Sequence, residues 1–471
     1  MTAPLVRAPW LRVALARIVE HIGYQMRVSE QPGCAIAVVH RGRLVLEHAW
    51  GHADLAQGTP LTPRHRFRIA SHSKSYTTAG VLKLREQRRL TLDDAVGRYV
   101  GDLHPRVAAI TIGQLLAHAG GVVRDGADAG QWTHRRPFLD EAELRADLAG
   151  DPTIPTNTRF KYSNHGYGLV GLAIEAITGE RYVDWIAREI VAASGLTETQ
   201  PDGPIDGARQ PFAHGHSSKH PLGRRVVIPA GHATNALAAA TGFVGSAADT
   251  ARFFASLQPN AKASVLSVAS RREMNRRQWR EEHSALARWY GLGTMMHSVG
   301  DWACCGHSGG FPGTVTRTAS VPAHDLTVSV LTNAADGLSH VWLDAALQIL
   351  RTGVARGAPS RRVSAWTGRW WSLWGAIDLM PVDGRVLVAN PALGNPMQDA
   401  TEIEVDRTRR TAQGSVSHGS IVLAGGFMSH GEPARLVVDG RGRASELWLG
   451  GTCYRPEAAV AKELVRRYEA P

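Results

Sequence analysis

The chain has few cysteines, and none at spacings that would give them a structural role. Cys34, Cys304, Cys305 and Cys453 contain no Cys-x-x-Cys pair, which removes the usual structural zinc site. The adjacent Cys304 and Cys305 are poorly placed to bond to each other, so reduced thiols in a reducing compartment are expected. No apolar run reaches the length of about 18 residues that a membrane span requires. The amphipathic start from Ala8 to Val19 is interrupted by Arg12 and Arg17, and no small-residue cleavage site follows. That argues against a secretory leader and makes a cytoplasmic protein the default. Long basic helices and Walker-type phosphate loops are also missing. The net charge of +11 comes from arginines spread singly or in pairs such as Arg88-Arg89, Arg135-Arg136 and Arg361-Arg362. Neither nucleic acid nor a membrane is therefore expected as a partner. No internal repeat stands out.

At 471 residues, 44% hydrophobic and 20% charged, the chain suits two domains with a sizeable core. Residues 11–26 read as a helix. Cys34–His40 and Leu44–Gly51 read as a hairpin about Arg41-Gly42-Arg43. A helix follows from Ser71 to about Glu86, and helical signals dominate to about residue 200. Residues 201–235 are rich in Gly, Pro and His and read as an irregular stretch. A helix is expected over 248–257, strands over 313–317 and 326–332, and a closing helix over 341–350. Strands at both ends with helices between predict an α+β fold: an antiparallel sheet flanked by helices, with an inserted helical subdomain and a cleft between the two. The expected boundaries are a first domain over 1–355, with its sheet core at about 1–75 and 285–355 and a mainly helical subdomain at about 76–284. Residues 355–362 read as a linker. Residues 363–471 alternate in short runs between glycine-rich turns, which predicts a small all-β barrel or sandwich. Gly368-x-Trp370 is similar to a lipocalin-type signature, and the tryptophans around it are expected to be core.

Three short stretches carry the chemistry. Ser71 and Lys74 stand three apart at a helix start, so both side chains share one face. A serine hydroxyl needs a base to take its proton, and a lysine in a water-poor cleft can be one because burial lowers its pKa. Tyr162-Ser163-Asn164 lies about ninety residues on, at another helix start. A tyrosine beside a lysine can act as base or relay, and Asn164 could orient the lysine or a substrate carbonyl. The third stretch, His307-Ser308-Gly309-Gly310, is expected on an edge strand where glycines let a substrate backbone approach. An N–H there, with that of Ser71, could make a two-donor oxyanion hole.

In this order, Ser-x-x-Lys, Tyr-x-Asn and His-x-Gly resemble the serine β-lactamase and D-Ala-D-Ala-peptidase superfamily, over about residues 28–352. The resemblance is nearest to class C β-lactamases, D-aminopeptidases, R61-type carboxypeptidases and family VIII esterases. Pro32-Gly33, Leu115–Gly121 and Tyr290-Gly291-Leu292-Gly293 fit it too. It implies that Ser71 attacks a carbonyl to form an acyl-enzyme, with Lys74 or Tyr162 as base. Asn164, His307 and Gly309 would position the substrate, and the backbone N–H groups of Ser71 and Gly310 would hold the oxyanion. Many β-lactamases and carboxypeptidases carry lysine where this chain has His307. A neutral imidazole attracts a carboxylate less, which favours an ester, amide or N-terminal D-residue substrate over a β-lactam. Small molecules or short peptides are the expected substrates, no cofactor or metal is expected, and self-association into a homo-oligomer is open.

Two motifs compete. Gly306-His307-Ser308-Gly309-Gly310 satisfies Gly-x-Ser-x-Gly, but an α/β-hydrolase elbow needs a strand before it and a helix after, and a strand follows here. His214-Gly-His216-Ser-Ser-Lys-His220 resembles a metal cluster, but the run offers no carboxylate. A binding protein on an inactive hydrolase scaffold is the remaining alternative, against which the intact Ser71, Lys74 and Tyr162 speak.

Overall fold

The structure is a computed structural model that describes residues 8–207, 210–220, 222–286, 288–426 and 428–469. It divides into two compact units. One is residues 30–343. The other runs from Asp344 onward and includes the helix Pro9–Val28, which sequence proximity assigned to the first domain.

The first unit is built on a nine-stranded sheet whose pairings are all antiparallel. Its order is Thr59–Pro60, Arg43–Asp54, Gly33–His40, Leu326–Thr332, Thr314–Val321, Trp302–Phe311, Met295–Val299, Trp289–Tyr290 and Trp279–Arg280. The chain thus lays down one side of the sheet, leaves it for about two hundred residues of mainly helical structure, and returns for the other. Leu326–Thr332 is buried at every position, which its apolar run requires of a strand covered on both faces. Helix Ala247–Ser256 covers Gly33–His40 and Leu326–Thr332 on one side. Ser246 starts it, accepting the Asp249 N–H at 3.2 Å.

Trp302–Phe311 is an inner strand, but its His307-Ser308-Gly309-Gly310 stretch forms a local edge: it pairs with Thr314–Val321 on one side, whereas Met295–Val299 pairs only with residues 302–306. The strands beyond it are two to five residues long, too short to show a period in the sequence.

Helix Ser73–Glu86 runs through the middle of the unit and is buried along most of its length. Its small polar residues bond outward rather than along the helix alone. Ser75 Oγ donates to Gly293 O at 2.5 Å and Thr77 Oγ1 to Ala239 O at 2.7 Å, while the Tyr76 ring stacks between Phe243 and Phe253. Gly293, at φ 64°, lets the chain touch this helix, since a Cβ there would lie 2.2 Å from Thr78 Oγ1.

The second unit contains an eight-stranded antiparallel meander in sequence order, from Gly368–Ser372 to Thr452–Tyr454. Reciprocal backbone bonds between Trp371 and Arg455, both 2.8 Å, bring its first and last strands together into a nearly closed barrel. Trp366 and Trp370 are buried in its core, whereas Leu373 and Trp374 project from the first turn, 74% and 84% exposed. Helix Pro9–Val28 is tied to this unit through Arg17–Asp378 (2.6 Å), Arg27–Glu457 (2.9 Å) and Gln25 Nε2 donating to Pro391 O (2.6 Å). Among the described residues, no helix is long and apolar enough to cross a membrane.

Candidate active site

Ser71 lies in a short 3-10 turn, Ala70–His72, that feeds helix Ser73–Glu86. The residue before it, Ala70, adopts the left-handed region at φ 48°, which costs an L residue about 1–2 kcal/mol. The turn is held from both sides. Ile69 N donates to Phe243 O (3.1 Å), and Ile69 O accepts from His72 N (3.2 Å) and His72 Nδ1 (2.8 Å).

One helical turn on, Lys74 is fully buried, and its Nζ lies 3.2 Å from Ser71 Oγ. Nζ also donates to Asn164 Oδ1 and Ala240 O, each at 2.8 Å. Burial holds the lysine pKa well below its ordinary value; nearby Asp125 opposes that shift and Arg124 adds to it. A neutral amine has two hydrogens and a lone pair. The two fixed acceptors take the hydrogens, which leaves the lone pair for the Ser71 hydroxyl.

Tyr162 OH donates to Ser71 Oγ at 2.8 Å. Burial raises the pKa of this phenol, against the Ser71 bond and the Arg124 charge, so it stays neutral at ordinary pH. Tyr162 immediately precedes the start of helix Asn164–Thr178, whose cap is Ser163: its Oγ accepts from Gly166 N (2.8 Å) and donates to Val123 O (2.6 Å). That pairing ties the tyrosine to the loop after Gly121. Asn164, in the first turn of the helix, donates from Nδ2 to Asp125 Oδ1 at 2.7 Å, which fixes its amide with oxygen toward Lys74.

The third stretch divides by strand alternation. Ser308 and Gly310 line the cleft, while His307 and Gly309 face the interior of the unit. A Cβ on Gly309 would lie 2.2 Å from Ile69 O and 2.5 Å from Thr316 Oγ1, so glycine is what allows this strand against the Ser71 turn. His307 is buried. Its Nδ1 lies 2.6 Å from Ser308 O, which can only accept, so Nδ1 carries the proton and Nε2 accepts from Tyr290 OH at 3.0 Å. Burial, then the neighbouring His72 and Lys74, hold its pKa well below the usual imidazole value.

Ser71, Tyr162, Asn164, Ser308 and Gly310 therefore meet around one cleft of about 300 Å³. Asp125, Arg124, Trp132, Glu281, Arg288 and Met295 complete its walls, and none of these stood out in the sequence. Asp125 accepts from Trp132 Nε1 (3.0 Å) and Arg124 Nε (2.9 Å) besides Asn164; Arg288 pairs with Glu281. The two competing motifs resolve differently. Gly306–Gly310 sits inside a strand, not at a strand-to-helix turn. Both nitrogens of His216 are taken by backbone: Nδ1 donates to Asn333 O (2.8 Å) and Nε2 accepts from Leu55 N (3.2 Å). Among the described residues, no three metal-ligating side chains converge.

An antiparallel sheet, an inserted helical region and a buried Ser-x-x-Lys helix define the serine β-lactamase and transpeptidase type of fold. Residues 19–350 match the model of the Beta-lactamase family, and the chain belongs to that family. It is 29% identical over 186 residues to Protein flp of Staphylococcus aureus (strain COL), 39% of this chain and 36% of that one. The alignment thus spans little more than a third of the length of such curated relatives. Among solved structures, the octameric penicillin-binding protein homologue from Pyrococcus abyssi superposes with a TM-score of 0.65 at 20% identity, covering 94% of this chain and 99% of that chain. The D-amino acid amidase from Ochrobactrum anthropi SV3 gives 0.61 at 20% identity, covering 73% and 99%.

Proposed function

We propose that the protein is a metal-free serine hydrolase that cleaves a small ester or an amide or peptide bond through an acyl-enzyme on Ser71, in the manner of a D-aminopeptidase or esterase. The observation that carries this reading is the position of Ser71 Oγ, within hydrogen-bonding reach of both Lys74 Nζ and Tyr162 OH at an open cleft.

Ser71 Oγ bonds to the substrate carbonyl carbon as its proton passes to the neutral Lys74 amine. The carbonyl oxygen becomes an oxyanion held by the N–H groups of Ser71 and Gly310. The bond to the leaving group breaks, and that group takes the proton, relayed through Tyr162. Water then attacks the ester carbon, a proton returns to Ser71 Oγ, and the acid departs. Lys74 is assigned the acylation base because burial favours its basic form, whereas the same burial keeps Tyr162 protonated. Asn164 holds the lysine.

β-Lactamase or D-Ala-D-Ala carboxypeptidase action is the alternative. Such substrates carry a carboxylate, but His307 offers no fixed charge, and the cleft arginines Arg124 and Arg288 are already paired with Asp125 and Glu281. A cytoplasmic site of action belongs to the same reading, supported by buried Cys34, Cys304 and Cys305. Self-association belongs to it as well, since a solved protein of this fold is octameric.

The test is incubation with a fluorophosphonate and a panel of p-nitrophenyl esters, D-alanine p-nitroanilide and a chromogenic cephalosporin, beside Ser71→Ala. Intact-mass labelling confined to the protein with Ser71 is expected, and labelling that survives Ser71→Ala would overturn the assignment. The turnover pattern selects the substrate class.

A further inference from the structure

His118 lies outside the chemistry described above, yet it touches the tyrosine segment at three points. Its backbone oxygen accepts from Lys161 N at 2.7 Å. Its Nδ1 accepts from Ser163 N at 3.2 Å. Its ring lies on that of Tyr162, centroids 4.1 Å apart and planes 35° from parallel. The residues on either side of Tyr162 are thus bonded to the same histidine that packs against the tyrosine ring.

Three further features point the same way. His118 is buried, and it adopts the left-handed region at φ 58°, where a non-glycine residue needs a reason to be. Its Nε2 is buried without a hydrogen-bond partner, among the rings of Tyr162, Tyr167 and Tyr290. A purely apolar ring would pack there without leaving a polar atom unmet. What an imidazole adds over phenylalanine at this position is the acceptor at Nδ1. That acceptor works only in the neutral ring, and burial, with Lys74, His307 and Arg124 nearby, keeps the ring neutral.

We infer that His118 is a positioning residue that fixes Tyr162 over Ser71, by holding the backbone on both sides of the tyrosine and packing against its ring. The inference rests on the hydrolase reading above, because the consequence of misplacing Tyr162 is read at Ser71. Stacking without the acceptor should not be enough, since the Ser163 N–H would then be buried and unmet.

The experiment is a set of cycles between His118 and Tyr162, read by the rate of fluorophosphonate labelling of Ser71 in the full chain. His118→Phe keeps a ring and removes the acceptor. His118→Asn places Oδ1 where Nδ1 was and tolerates the left-handed backbone. His118→Phe should lower the labelling rate about 10–100-fold, the scale of a small displacement in an active site, and His118→Asn should recover most of that loss. In a Tyr162→Phe background, His118→Phe should add little, because the two changes act on one element. A general structural role would lower the rate equally in both backgrounds, and that result would overturn the inference. If His118→Phe does not fold, His118→Gly, which removes both ring and acceptor and suits the left-handed backbone, is compared in the two backgrounds: a loss of equal size in both, or no loss in either, overturns the inference, and a loss confined to the Tyr162 background supports it. Failure of the wild-type chain to label at Ser71 would instead remove the hydrolase reading. In that case a crystal structure of His118→Gly beside the wild type still tests the clamp, and a Tyr162 ring that is no less ordered in the variant refutes it.

Discussion

Asn164 stands between a lysine and a carboxylate: its Oδ1 accepts from Lys74 Nζ at 2.8 Å while its Nδ2 donates to Asp125 Oδ1 at 2.7 Å. The amide can satisfy both only in this orientation, so Asp125 reaches the buried amine through one intervening side chain. Asp125→Asn keeps the shape and one acceptor for Asn164, but it removes the carboxylate charge behind the Asn164–Lys74 pair and sets an amide NH2 against Arg124. The labelling rate at Ser71 should fall at least about tenfold, with a smaller loss in Asp125→Glu. Equal rates in the wild type and Asp125→Asn would remove Asp125 from the site.

The Lys74 shift sets the pH dependence of rate. If the neutral amine is the base, acylation should rise with pH along a limb whose midpoint lies well below the ordinary lysine value. Lys74→Arg, which stays charged throughout, should lack that limb and be nearly inactive. Stopped-flow measurement of p-nitrophenol release from pH 5 to 10 separates the two.

The same shift has a consequence for stability. The folded-state pKa of Lys74 lies below its unfolded value, so between the two the unfolded chain binds a proton that the folded chain lacks. Stability of the wild type must therefore rise with pH in that window, by at most about 1.4 kcal/mol per pH unit. Lys74→Met has no such contribution. Urea unfolding of both proteins between pH 7 and 10 should show the difference moving in the wild type's favour as pH increases. Parallel curves would mean that the lysine is not held neutral.

Gly309 and Gly310 are neighbours with opposite surroundings. A Cβ on Gly309 meets Ile69 O and Thr316 Oγ1, whereas one on Gly310 meets nothing within 4 Å. Gly309→Ala should destabilise the protein by about 1–3 kcal/mol and slow labelling by displacing the Ser71 turn. Gly310→Ala should leave thermal unfolding close to the wild type, and any effect it has should appear in turnover alone.

Ser308 faces the cleft with Oγ 3.5 Å from Met295 Sδ, and no base contacts it among the described residues. Ser308→Ala should keep covalent labelling of Ser71 and alter chiefly KM. Loss of labelling would return the nucleophile question to Ser308.

How much of this was legible depended on whether a feature is local. Ser71 and Lys74 could be paired because helical spacing alone puts them on one face. Tyr162 and Asn164 could be joined to them only through order and resemblance. Asp125 could not be found, because its place depends on where a loop without periodicity runs. His118 stood in view within Leu115–Gly121, but its bonds to Lys161 and Ser163 cross more than forty positions of chain. The strands Met295–Val299, Trp289–Tyr290 and Trp279–Arg280 were too short for alternation to register, so the inner place of the strand bearing His307 did not show, although its 307–310 stretch runs past Met295–Val299 as a local edge. His307 itself was expected to face substrate, and the parity of its strand turns it into the wall instead.

The helix Pro9–Val28 and the barrel it binds are separated by nearly the whole chain: Gln25 and its acceptor Pro391 lie 366 positions apart. During synthesis the helix emerges well before its partners. At ordinary elongation rates it waits on the order of tens of seconds, while everything between them can fold. The second unit is thus a lock whose two halves are made far apart in translation. A ribosome stalled before Asp378 would release a chain whose helix still lacks the aspartate that Arg17 must meet.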